Sequence, residues 1–151
     1  MTAVMYPGRV SRLGRMIDLP GGVTLAEALK QAQNNLAPLR APALERIAEY
    51  IGELEGLAPA TAEVERVYTL ASGIIDCASL FDLGEVCAVA AGLCDLVEDA
   101  SPERPFDWRM PALHGRTLKL LLSLPSYAAE ERVRLRDEIA AVVAHKRATR
   151  T

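Results

Sequence analysis

The stretch from Thr61 to Asp99 constrains the fold more than any other part of the chain. Apolar residues at Val64, Val67, Ala71, Ile74 and Ala78 recur at the spacing of one buried helical face. After a short break, Leu83, Val86, Ala90, Leu93 and Val97 repeat that spacing. Two long helices joined by a tight turn account for both runs. Asp82 followed by Glu85 has the pattern of a capping box, in which the aspartate accepts from the third helical N–H and the glutamate reaches back. That pattern predicts a second helix over 83–98. The rest of the chain is expected to pack against this hairpin.

The flanking segments read as further helices. Thr24 with Glu27 forms another capping box and opens a helix that carries Leu25, Ala28, Leu29, Ala32 and Leu36 on one side. Pro38 and Pro42 break it, and Pro42 suits the first turn of the next helix. That helix has Leu44, Ile47, Ile51 and Leu54 as its stripe and Gly56 as its stop. Pro59 and Thr61 are expected to start the first arm of the hairpin, which runs to about Leu80. Ser101, Pro102 and Pro105 mark a loop. Asp107 or Met110 caps a fifth helix with Pro111 in its first turn and Leu113, Leu118, Leu120, Leu121, Leu122 and Leu124 along it. Pro125 stops that helix. Ser126 opens a sixth with Val133, Ile139, Val142 and Val143 as core candidates, before a fraying tail from His145.

The predicted architecture is all-α: an antiparallel bundle of five to six helices with a core close to four. Residues 1–23 are expected to be an irregular arm that lies over the bundle through Val10, Leu13, Met16 and Ile17. The bundle is expected over 24–147 and a frayed tail over 148–151. A chain of 151 residues with two Phe and one Trp, rich in Ala and Leu, favours helix over sheet. No apolar run is long enough to span a bilayer, and the N-terminus lacks the apolar core of a signal peptide. Three cysteines without a Cys-x-x-Cys pair fit reduced thiols in the cytosol.

Charge is unevenly spread. Between Thr61 and Asp99, Glu63, Glu65, Asp76, Asp82, Glu85, Asp95, Glu98 and Asp99 face Arg66 alone. Arg132, Arg134, Arg136, Lys146, Arg147 and Arg150 make the C-terminal stretch basic, and Arg9, Arg12 and Arg15 lie in the N-terminal arm. These segments are expected to attract each other within one domain; an acidic face meeting a basic partner is the alternative. A formal net charge of -3 argues against a general nucleic-acid binder.

Little in the chain suggests catalysis. His114 and His145 have no partner at metal-ligand spacing, so no metal is expected. No glycine-rich phosphate loop and no nucleophile elbow is present, and no cofactor is expected. Cys87 and Cys94 read as core filling. Tyr68, Ser72, Ile75 and Ser79 share a stripe beside the apolar one, and Ala71, Ser72 and Gly73 form a patch of small residues. Such a patch admits a close neighbour, either a packed helix or a docked partner.

The hairpin resembles that of histidine-phosphotransfer domains, in which a His-x-Leu-x-Gly helix carries a phosphoryl group between response-regulator aspartates. Tyr68-Thr69-Leu70 stands where that His-x-Leu falls, and Ala71 stands where a lysine is common. A tyrosine hydroxyl with a pKa of about 10 does not replace imidazole in that transfer. Most of the chain resembles the CheE proteins encoded with chemotaxis genes in alphaproteobacteria. Pro20, Gly21, Gly22 and Thr24, Tyr68 through Asp76, Leu93 through Leu96, and Trp108, His114, Leu118, Leu121 and Leu122 carry that resemblance. It implies a cytoplasmic signalling accessory protein without an assigned catalytic step.

The expected function is therefore binding of a response-regulator receiver, or another chemotaxis protein, through Tyr68, Ser72 and Asp76. One alternative is phosphotransfer on His114, with Arg116 and Lys119 steadying the phosphoryl group. Another is a structural bundle that homodimerises through its hairpin. His114 otherwise reads as a half-buried histidine hydrogen-bonded near the start of its helix, packed beside Trp108.

Overall fold

A computed structural model describes residues 21–59 and 62–149. The expectations for the arm before Gly21, for Thr61 and for the last two residues lie outside these. The described residues contain six α-helices and no β-strand: α1 Leu25–Leu36, α2 Arg40–Gly56, α3 Val64–Ala78, α4 Gly84–Glu98, α5 Met110–Ser123 and α6 Ala129–Ala148. A 3-10 turn, Ala37–Leu39, separates α1 from α2 and carries Pro38. The chain divides into two compact units, Met1–Pro38 and Leu39–Thr151.

α1 belongs to the first unit. Its capping box forms as read: Glu27 N–H donates to Thr24 Oγ1 at 3.3 Å, and Thr24 N–H donates to the Glu27 carboxylate at 2.9 Å. The stripe of Leu25, Leu29 and Leu36 is not core. None of the helix is buried, and Leu25 and Leu29 are exposed. Good local signals built the helix without a face to bury.

The second unit is an antiparallel helical bundle. α2, α3, α4 and α5 pack in a closed ring, each against the next and α5 back against α2, while α6 lies on α4 and α5. The core is the predicted one at its centre. Ile47, Ile51 and Leu54 from α2, Val67, Ala71, Ile74 and Ala78 from α3, and Val86, Ala90 and Leu93 from α4 are all buried. Each fully buried Ile or Leu contributes about 1.5–3 kcal/mol. Leu70, Val89 and Leu96 join them, so α3 and α4 bury wider stripes than one face. α5 adds Met110, Leu118 and Leu121.

Several boundaries and faces differ from the sequence reading. The Asp82–Glu85 capping box does not form: α4 begins at Gly84 and its N-cap residue Leu83 makes no side-chain cap. Asp82 sits at φ 54, in the left-handed region, whereas a capping residue needs extended backbone. The cause is its neighbours. Phe81 and Leu83 both turn inward and are buried, and Arg40 Nη1 donates to the Phe81 carbonyl at 3.1 Å. α3 ends at Ala78, two residues before Leu80, which is exposed. Ser126 does not open α6. A turn closed by Ala128 N–H to the Pro125 carbonyl at 3.0 Å delays it to Ala129.

On α5 and α6, Leu113, Leu120, Val133 and Val142 are exposed and not core. The tail does not fray at His145. α6 stays helical through Ala148, with His145, Lys146 and Arg147 in its last turn, where cations suit the helix dipole. Arg147 pairs with Asp99 at 2.7 Å and Asp95 at 3.3 Å, and Lys146 pairs with Asp107 at 2.7 Å. The acidic hairpin and the basic C-terminal helix thus attract each other inside the bundle.

Candidate functional site

Burying Val67, Leu70, Ala71, Ile74 and Ala78 turns the other side of α3 outward. Tyr68 is 40% exposed, Asp76 and Ser79 are exposed, and Ser72 and Ile75 are half-buried. Tyr68, Ser72 and Asp76, singled out from sequence, therefore lie together on one accessible helical face. Their hydroxyl neighbours are internally satisfied. Ser72 Oγ donates to the Thr69 carbonyl at 3.2 Å, Ser79 Oγ to the Asp76 carbonyl at 3.2 Å, and Thr69 Oγ1 to the Glu65 carbonyl at 2.9 Å. Among the described residues each of these hydroxyls donates to a backbone carbonyl and not to a side-chain base, so the face offers contact groups and no activated nucleophile.

Gly73 explains the small-residue patch. A Cβ there would lie 2.8 Å from Tyr50 Cε2, so the Tyr50 ring of α2 rests on the bare backbone of α3. Ala71 faces the core. Close helix packing thus accounts for both residues and leaves Ser72 at the surface. Tyr50 also carries Arg46, whose guanidinium lies 5.4 Å from the ring centroid and pairs with Glu49 at 2.8 Å. Arg66 Nε donates to Glu53 at 2.7 Å and ties α3 to α2. The sequence reading missed Tyr50 and Arg46 as neighbours of this face. A glycine in mid-helix, facing an aromatic-bearing helix, was the available signal.

His114 lies elsewhere and is fully buried, where half burial was expected. Its Nδ1 lies 2.9 Å from the Met110 carbonyl. A carbonyl only accepts, so Nδ1 carries the proton and neutral His114 presents a lone pair on Nε2. Burial holds its pKa below the ordinary value, against an opposing pull from the Met110 carbonyl. Nε2 is covered and has no hydrogen-bond partner among the described residues. The phosphate-steadying set does not assemble around it. Lys119 pairs with Glu55 of α2, whose stem crosses the bare backbone of Gly115. Arg116 is exposed. The aromatic neighbour of Trp108 is Phe106, edge to face at 5.2 Å.

The described residues hold no cluster of three or more His, Cys, Asp or Glu side chains able to ligate a metal. All three cysteines are free thiols. Burial pushes Cys94 up to about 11 and raises Cys87 as well, so neither is a ready thiolate. No described helix is long and apolar enough to cross a membrane. Comparison with known proteins finds no matching family, no similar curated protein and no similar solved structure.

Proposed function

We propose that this chain is a non-enzymatic signalling accessory protein that binds a partner protein through the outer face of α3. The observation that supports this is Tyr68, a large aromatic 40% exposed beside Ser72 and Asp76 on a helix whose other side is core. Tyr50 and Arg46 extend the face, and tyrosine and arginine are the residue types that dominate protein contacts. Its resemblance to the CheE proteins makes a response-regulator receiver, or another chemotaxis protein, the proposed partner. The protein then acts by sequestering or positioning that partner. Burial of His114 Nε2 favours this reading over phosphotransfer, since a phosphoryl donor must reach that nitrogen or Nδ1, which already donates to Met110.

The test is titration calorimetry with the receivers of a chemotaxis system, alongside incubation with their phosphorylated kinase. Wild-type protein is expected to form a complex and to take up no label. Tyr68→Ala is expected to weaken the complex by about tenfold or more with little change in Tm. Label that vanishes in His114→Ala would replace this reading with phosphotransfer. Self-association without any receiver binding would replace it with the structural dimer.

A further inference from the structure

The groove between α4 and α6 is built around an acceptor that the protein leaves unused. Ala88, Ala91 and Gly92 line it from α4, and Ala140, Val143 and Ala144 from α6. These short side chains leave a slot of about 630 Å³, open along one side. Small-molecule sites commonly measure about 300–1,000 Å³. His114 of α5 completes the lining. Its Nε2 is a buried lone pair without a partner among the described residues. A Cβ on Gly92 would come within 3.8 Å of that nitrogen and 3.3 Å of Val143 Cγ2. Gly92 puts no side chain over Nε2 from α4, so a ligand reaches the covered nitrogen only by turning Val143, its neighbour across Gly92, aside.

The chemistry of the lining restricts the ligand. Nε2 accepts, so the ligand must donate. Between the charged rim residues the walls are chiefly short apolar side chains, so a thin ring lying between them removes hydrocarbon from water. The charges at the rim are already matched, with Arg147 on Asp95 and Asp99 and Arg136 on Asp137. A neutral molecule fits that balance.

We propose that this slot binds a small, neutral, flat aromatic molecule of the phenol or indole class, whose single O–H or N–H donates to His114 Nε2. The site shares no residue with the outer face of α3 and stands independently of the proposed partner.

The experiment titrates the full chain with indole and with benzofuran, in which a ring oxygen replaces the N–H. Calorimetry gives affinity and ¹⁵N NMR follows the His114 ring. Indole is expected to saturate one site and move the Nε2 resonance. Benzofuran is expected to bind at least about tenfold more weakly, because its oxygen opposes the lone pair. Ala144→Leu should fill the slot and abolish indole binding with helicity retained, and Ala140→Leu supplies the same block if the first variant unfolds. Absence of saturation at millimolar indole, equal affinity for both compounds, or saturation with an unmoved Nε2 resonance would each overturn the proposal.

Discussion

At the scale of single residues, His114 shows how tertiary burial sets chemistry. The unfolded chain holds an ordinary imidazole with a pKa of about 6.5. The folded chain holds it neutral between Met110 and Gly92, with its pKa lowered chiefly by desolvation. Below the unfolded value the unfolded state binds more protons, so stability falls as pH drops. Stability should therefore be full above about pH 6.5 and decline as pH falls from there toward the lower folded value. His114→Phe removes the group that titrates. Denaturant unfolding across pH 5 to 8 should give a flatter curve for that variant than for wild type, and parallel curves would remove His114 as the cause. Tyr68 was legible as a stripe residue from spacing alone. Whether that stripe faced water depended on which helices covered α3.

At the scale of elements, the helices were legible because their apolar spacing and their Pro and Gly punctuation agree. Both signals are local. The Thr24–Glu27 capping box forms between exposed residues that no core position claims. The Asp82–Glu85 pattern fails because Phe81 and Leu83 compete for the core on either side of Asp82. The resulting left-handed backbone is one that Asp tolerates better than most residues. Asp82→Gly should leave stability within about 1 kcal/mol of wild type, since glycine adopts this backbone freely but adds unfolded-state entropy. Asp82→Val should cost about 1–2 kcal/mol, because a branched side chain clashes there. Urea unfolding of the two variants measures the difference, and equal losses would show that the turn relaxes. α6 is the weakest reading for a related reason. It packs on α4 and α5 from outside, so only Ile139 and Val143 of its core candidates are buried.

At the scale of the whole molecule, charge holds the ends of the bundle together. Asp107 joins Arg109 and Lys146, and these partners hold its carboxyl well below the usual carboxylate range, against some desolvation. A lowered folded pKa contributes stability that is present above the unfolded value of about 3.9 and is lost as pH falls below it. Asp107→Asn should therefore lower Tm at pH 7 and shrink the loss of Tm between pH 5 and pH 2, as followed by circular dichroism. Arg147 with Asp95 and Asp99 is more exposed, and pairs of that kind contribute about 0–1 kcal/mol each. The sequence alone determined the helical class, the positions of the helices and most of the central core, because periodicity and punctuation act within a few residues. Tertiary structure decided the rest. It left α1 without a buried residue, rested Tyr50 on Gly73, turned Asp82 left-handed and buried His114 beside Gly92. Each of these follows from which surfaces meet, and residues distant in the chain meet only when the helices pack.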